Sequence, residues 1–243
     1  MALYVGTSGW AYTEWKPDFY PANLPATRFL EHYATKLTTV EVNATYHRRQ
    51  AESTLKSWVG SVPDDFRFVV KGHRAITPRA QNGALLKEFL SDMQALAPHL
   101  SALFFQFPVK RAGNEGGFES FLANLQTAVP AAFDLKHPSW HTPDIEERVA
   151  RAGGTLCLSD REGKAPDALP AGAIGYVRLR GGTYSPEERA KWRSLLETEA
   201  AQRDVYVFVK HDEGPGDEFT GVGLAQWLAG APTGGVSRRA SGC

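Results

Sequence analysis

The sequence has few cysteines, no long apolar run and no net charge, and each shortage excludes a class of protein. Only Cys157 and Cys243 occur among 243 residues, which excludes a disulfide framework and a zinc site built from thiolates. No segment approaches the roughly 18–20 consecutive apolar residues that span a bilayer, so we expect no membrane association. Because 27 basic residues balance 27 acidic ones, the total charge does not indicate a nucleic-acid clamp.

What is present is the composition of an ordinary globular protein, with 42% hydrophobic and 22% charged residues. The N-terminus lacks the basic and apolar segments of a secretory signal, and with so little cysteine we expect a cytoplasmic location. The length suits one α/β barrel. We predict a single domain over residues 1–230, followed by a flexible tail over 231–243.

Eight short apolar runs, rich in β-branched and aromatic residues, have the length of strands. They cover 3–6, 38–42, 66–71, 102–107, 131–135, 155–158, 174–180 and 204–210. Segments with helical spacing alternate with them, at 26–37, 51–60, 84–96, 117–128, 144–152, 185–202 and 221–229.

This alternation predicts parallel strands joined by helical crossovers, and eight strands close a (β/α)8 TIM barrel. A doubly wound open sheet is the alternative, but the GTSGW segment at 6–10 is not its glycine-rich phosphate turn. Residues 159–173 contain two prolines and no helical periodicity, so we predict an irregular sixth crossover.

Charged side chains interrupt the apolar strands near their C-terminal ends, where barrel enzymes carry their active sites. Since alternate residues of a strand face opposite sides, most of these charges point into the barrel. Glu41, Asp134, Asp160 and Asp212 are available to pair with the cations of this rim. One interpretation is a structural ion-pair network; the other is an anion-binding pocket in which the acids orient the bases.

We predict Glu41 or Asp134 as a general base, and His137 or His211 as a general acid or base. Aromatic rings in the loops after strands one and five are candidates to line a pocket. The predicted substrate-binding residues are Trp10, Asn43, Tyr46, Lys71, Gln106, Lys136, Trp140, Arg178, Arg180 and Lys210.

Three other chemistries can be weighed against this one. A lysine that forms a Schiff base is an alternative, and Lys71, Lys136 and Lys210 are equal candidates for it. No HExxH motif occurs and several cations would crowd a dication, so we predict no metal ligand and no cofactor. No GxSxG segment supports a serine triad.

Several motifs together resemble the YecE-like family, which is catalogued as domain of unknown function 72. They are GTSGW at 6–10, TVEVN at 39–43, FVVK at 68–71, FQFP at 105–108, HPSW at 137–140, YVR at 176–178 and VFVKH at 207–211. The resemblance covers about residues 4–230 and implies a TIM barrel. The similarity of such barrels to repair enzymes of the endonuclease IV type implies a nucleic-acid function, by analogy of fold alone.

The chain departs from the family pattern at two places. Asp134 and Lys136 stand where the family usually has Glu and Arg, and Thr77 and Pro78 where it usually has Thr and His. Because lysine does not replace a bidentate arginine, the resemblance does not imply a shared substrate.

These observations together predict an enzyme of the hydrolase or lyase type that acts on a small anionic or phosphorylated molecule without a permanent metal. One alternative is a nucleic-acid-binding or nucleic-acid-processing protein of the endonuclease IV type. The other is a non-catalytic module that binds an anion or a partner protein.

Overall fold

Parallel strands in one sheet curl into a nearly closed barrel, as the alternating pattern predicts. The computed structural model describes residues 1–79, 83–108, 115–160, 162–210 and 219–230. The strands run in the order β6-β5-β4-β3-β2-β1-β9-β8-β7. They are β1 (Leu3–Ser8), β2 (Thr39–Val42), β3 (Arg67–Lys71), β4 (Leu100–Phe107), β5 (Ala131–Leu135), β6 (Gly154–Leu156), β7 (Leu158–Asp160), β8 (Gly175–Leu179) and β9 (Val205–Val209).

The predicted sixth strand is present but is split at Cys157, which is why nine strands replace eight. The first half, β6, pairs with β5, whereas the second half, β7, pairs with β8. The backbone amide of Cys157 donates to the carbonyl of Phe133 at 2.8 Å, so the link still follows β5. This one segment therefore joins the two ends of the sheet and nearly closes the barrel.

Helices follow most strands and cover the outside of the sheet. They are α1 (Phe29–Ala34), α2 (Ala44–His47), α3 (Glu52–Val59), α4 (Gly83–Met93), α5 (Glu115–Asn124), α6 (Pro143–Arg151), α7 (Pro186–Ala200) and α8 (Gly221–Leu228). Between β7 and β8, the described residues contain no helix, which confirms the irregular sixth crossover. None of the described helices has the length and apolarity that a membrane span requires. Residues 231–243 lie outside the described residues, so the domain boundary and the flexible tail remain predictions.

Two separate apolar layers form on the two faces of the sheet. On the outer face, Phe68 and Val70 of β3 belong to the large cluster beneath the helices. On the inner face, aromatic rings fill the lower part of the barrel: Tyr4 stacks on Tyr206 at 4.9 Å between ring centroids, and Phe104 stacks on Tyr176 at 5.1 Å. Above these rings, at the C-terminal ends of the strands, the interior carries polar side chains.

Candidate functional site

A cavity of about 790 Å³ opens at the C-terminal rim of the barrel. Seven of the predicted binding residues line it: Asn43, Lys71, Gln106, Lys136, Arg178, Arg180 and Lys210. They come from six different strands or the residues just after them, so the closed sheet brings together side chains that are distant in sequence. Ser8, Tyr12, Ala44, His47 and Ser159 complete the lining.

The charge of this lining has one sign. Five of its side chains are lysine or arginine, and none of its described residues is aspartate or glutamate. Cations gathered in a concave site raise the local concentration of anions. Two carboxylates of the rim, Glu41 and Asp134, are outside this lining and contact side chains that belong to it.

Glu41 is the carboxylate behind the centre of the wall, and its side chain is completely buried. Arg178 Nη2 donates to Glu41 Oε1 at 2.8 Å, and Asn43 Nδ2 donates to the same oxygen at 3.1 Å. The hydroxyl of Tyr176 donates to Oε2 at 2.7 Å. With three donors around it and no place in the cavity lining, Glu41 is arranged to orient Arg178 rather than to accept a proton from a ligand.

Asp134 belongs to a second chain of polar contacts. Gln106 Nε2 donates to Asp134 Oδ2 at 2.7 Å, and Lys136 Nζ lies 3.6 Å from the same oxygen. Lys71 Nζ in turn donates to Gln106 Oε1 at 3.3 Å. The carboxylate of Asp134 therefore fixes the amide orientation that presents an acceptor to Lys71.

Lys71 is the most enclosed lysine of the cavity, with 7% of the residue exposed. Its Nζ lies 3.9 Å from the centre of the Tyr46 ring and 5.7 Å from that of Phe104. It forms no ion pair with any described carboxylate. Burial first, and then the nearby Arg178, lower the pKa of Lys71 to about 8.

Two buried donors in the cavity wall have no hydrogen-bond partner among the described residues. They are Ser8 Oγ, in a residue 1% exposed, and Arg178 Nε, in a residue 5% exposed. Leaving such a group unpaired costs roughly 1–3 kcal/mol. Because both residues line the same cavity, a ligand with acceptor oxygens is a natural partner for them.

The structure does not bring every predicted residue to this cavity. Trp10 packs against Trp58 with ring centroids 5.1 Å apart, and the buried Trp140 packs against Phe118 at 5.2 Å. The Nδ1 atom of His137 lies 2.8 Å from the hydroxyl of the nearby Ser139, at the start of a short turn. Tyr46 is not in the lining, but its ring contacts Lys71 and His47, which are. The predicted His211 lies outside the described residues.

The imidazole that lines the cavity is His47, which sequence reasoning missed. It ends α2, a helix of four residues that is too short to show helical periodicity. The one available signal is that α2 directly follows β2, at the rim where the other candidates lie.

A second cavity of about 670 Å³ adjoins the first beside the split strand, and both are lined by Lys136 and Ser159. Cys157 lines this second cavity, and burial raises the pKa of its thiol well above the ordinary value. A thiol held neutral is a poor nucleophile. Within the described ranges, no group of three or more His, Cys, Asp or Glu side chains is placed to hold a metal ion.

Comparison with known proteins places this geometry in a family. Residues 4–229 match the family described as protein of unknown function DUF72. The protein YunF of Bacillus subtilis is 23% identical over 87% of this chain and 89% of its own length. The protein YecE of Escherichia coli K12 is 27% identical over 62% of this chain and 54% of its own length.

Two crystal structures share the fold. A DUF72 family protein from Thermotoga maritima superposes with a TM-score of 0.73 and 20% identity, over 94% of this chain and 97% of its own. A DUF72 family protein from Enterococcus faecalis gives a TM-score of 0.71 and 16% identity, over 93% and 94% of the two chains. These similarities establish the architecture and leave the chemistry to be argued from the site itself.

Proposed function

The chain belongs to the DUF72 family, and from that premise we propose that it is an enzyme that binds a small phosphate-containing or similarly anionic substrate at the barrel rim. The observation that carries the proposal is a cavity whose charged lining residues are all lysine or arginine, with two buried donors in its wall that have no partner among the described residues. Those cations supply the positive charge that the proposal requires, so it invokes no metal.

The role of each cationic side chain in the cavity follows from how exposed it is and which groups it contacts. Arg178, held by Glu41, offers a fixed planar guanidinium, the geometry that suits two oxygens of a phosphate or carboxylate. Arg180, Lys136 and the exposed Lys210 surround the opening and add charge there. Lys71 lies deeper, beside aromatic rings, and is the candidate for reaction rather than for charge alone. A group of this kind suits a hydrolase or a lyase.

Replacing Arg180 with glutamine tests the anion site. We expect the affinity for sulfate, measured by calorimetry at low ionic strength, to fall by up to about fivefold, because one partly exposed charge contributes roughly 0.2–1 kcal/mol. Arg151→Gln is the matched control, since Arg151 is exposed on α6 and pairs only with Glu147 there. Equal losses in both variants, or no sulfate binding by the wild type, would refute the proposal.

Ser8→Ala is expected to lower the affinity for sulfate without lowering stability. The variant removes a buried hydroxyl that has no partner among the described residues, so the free energy of unfolding should stay constant or rise by about 1 kcal/mol. Sulfate affinity should fall about threefold to tenfold, because the anion loses one hydrogen bond. Chemical denaturation and calorimetry on the same samples measure both. A variant that binds sulfate as well as the wild type would show that Ser8 does not face the anion.

A further inference from the structure

We propose that Lys71 forms an imine with a carbonyl group of the substrate, which makes the substrate a small aldehyde or ketone that also carries a phosphate-type group. This inference rests on the proposed function, because the anionic group must be held by the other cations of the same cavity. The inference goes beyond the proposed function because it names the second functional group of the substrate and the residue that reacts.

Position singles out Lys71 among the lysines of the cavity. Lys136 is engaged with Asp134 at 3.6 Å, and 26% of its side chain is exposed. Lys210 is exposed at the rim. Lys71 is nearly buried, and its described neighbours are an amide oxygen and two aromatic rings rather than a carboxylate. An enclosed amine beside another cation is the environment in which a lysine becomes a nucleophile near neutral pH.

The charged groups that act on Lys71 come from three sides of the barrel. Arg178 on β8 and Lys136 after β5 oppose its ammonium form, while the acids on β2 and β5 favour it. Burial outweighs every one of these charges, and the resulting pKa of about 8 leaves an appreciable neutral fraction at pH 7. The acids concerned are Glu41 and Asp134.

Gln106 acts as the positioning residue. Its Nε2 is committed to Asp134, so its Oε1 faces Lys71 Nζ at 3.3 Å. One amine hydrogen is thereby directed towards Gln106, and the Tyr46 ring covers another side of the nitrogen at 3.9 Å. These two contacts restrict the direction from which a carbonyl carbon can approach.

The step balances without a co-reactant. The neutral amine of Lys71 gives its electron pair to the carbonyl carbon, and the carbonyl oxygen takes a proton from the nitrogen to form a carbinolamine. Loss of the new hydroxyl group together with the second proton of the nitrogen releases one water and leaves the imine. When the imine nitrogen takes up a proton from solvent, the resulting iminium withdraws electrons from the neighbouring carbon, which is the activation that a lyase requires.

Borohydride trapping tests the proposal. Wild-type protein is incubated with dihydroxyacetone phosphate or glycolaldehyde phosphate, reduced with borohydride, digested and mapped by mass spectrometry. We expect the reduced adduct at Lys71 to exceed that at the exposed Lys56 by at least tenfold, and to fall at least tenfold when dihydroxyacetone replaces its phosphate ester. Trapping at Lys71 should rise from pH 7 and level off above pH 8, whereas an ordinary lysine with a pKa of about 10.4 continues to gain reactivity.

Variants and a separate binding measurement keep the outcomes distinct. Lys71→Met should lose the adduct but still bind sulfate measurably by calorimetry, since the other four cations of the cavity remain. Gln106→Leu should slow trapping without moving the adduct to another lysine. If the phosphorylated probes bind by calorimetry but no adduct forms at Lys71, or if adducts spread evenly over exposed lysines, the imine is refuted and the anion site stands. If neither probe nor sulfate binds, the proposed function fails as well.

Discussion

Glu41→Gln is expected to lower the free energy of unfolding by about 3–5 kcal/mol, the cost of breaking a buried ion pair by removing one partner. The carboxylate is completely buried and accepts from Arg178, Tyr176 and Asn43. A neutral amide of the same shape leaves the guanidinium of Arg178, of which 6% is exposed, without its counter-charge. Urea denaturation at constant pH measures the difference.

A double-mutant cycle separates the coupling free energy of this ion pair from the general cost of altering the barrel interior. Arg178→Met should destabilise by a similar amount, while Glu41→Gln combined with Arg178→Met should lose at least about 2 kcal/mol less than the sum, because no unpaired charge remains. Glu52→Gln is the control: its ion pair with Lys56 is exposed on α3, and its loss should cost less than about 1 kcal/mol. Additive losses in the cycle would show that Glu41 and Arg178 are not coupled.

Much of the fold could be predicted because the barrel repeats one simple pattern. Each strand is short and apolar, and most of the charged side chains that break the pattern on the inner face fall near the C-terminal end of their strand. Alternation alone predicts Glu41, Lys71, Asp134 and Arg178 at one rim, where hydrogen bonds join Glu41 to Arg178 and, through Gln106, Asp134 to Lys71. The helix predicted at 185–202 begins with a capping box, in which the side chain of Ser185 accepts from the amide of Glu188.

What the sequence could not supply is the choice of partners across the barrel. Glu41 and Arg178 are 137 residues apart and meet because the sheet closes. Asp160, another candidate partner for the cations, instead accepts from the amides of Glu162 and Gly163 and from the hydroxyl of Tyr184. The fourth acid considered, Asp212, lies outside the described residues.

The orientation of side chains in the loops and the break in the sixth strand could not be predicted from periodicity, for a different reason. Trp10 and Trp140 follow strands one and five, as pocket residues of a barrel often do, but a loop has no repeat that tells which way a ring turns. Both rings pack into apolar surroundings instead. The break at Cys157 arises because the segment pairs with a different neighbouring strand before and after it. The residue pattern along one strand carries no information about either neighbour.

Arg178→Lys is expected to weaken sulfate binding by at least about 30-fold, or 2 kcal/mol, the lower end of what truncating a buried, hydrogen-bonded charge costs. Lysine keeps the positive charge beside Glu41, so the fold should persist, with the free energy of unfolding changed by far less than in Arg178→Met. What is lost is the planar fork, including the buried Nε that has no partner among the described residues. Calorimetry at fixed low ionic strength measures the affinity.

Sulfate titration of Glu41→Gln, under conditions where this variant remains folded, shows whether the orientation of the Arg178 guanidinium or its charge determines the affinity. That variant raises the net positive charge of the site, so if charge alone retains the anion, sulfate should bind more tightly to it and nearly normally to Arg178→Lys. If the orientation of the guanidinium decides, both variants should bind more weakly, because each disturbs the contact at 2.8 Å between Arg178 and Glu41. Arg151→Lys, which alters an exposed pair on α6, should leave the affinity unchanged. We expect weaker binding in both, because the loss of a fixed guanidinium orientation outweighs the repulsion that the buried carboxylate exerts on an anion.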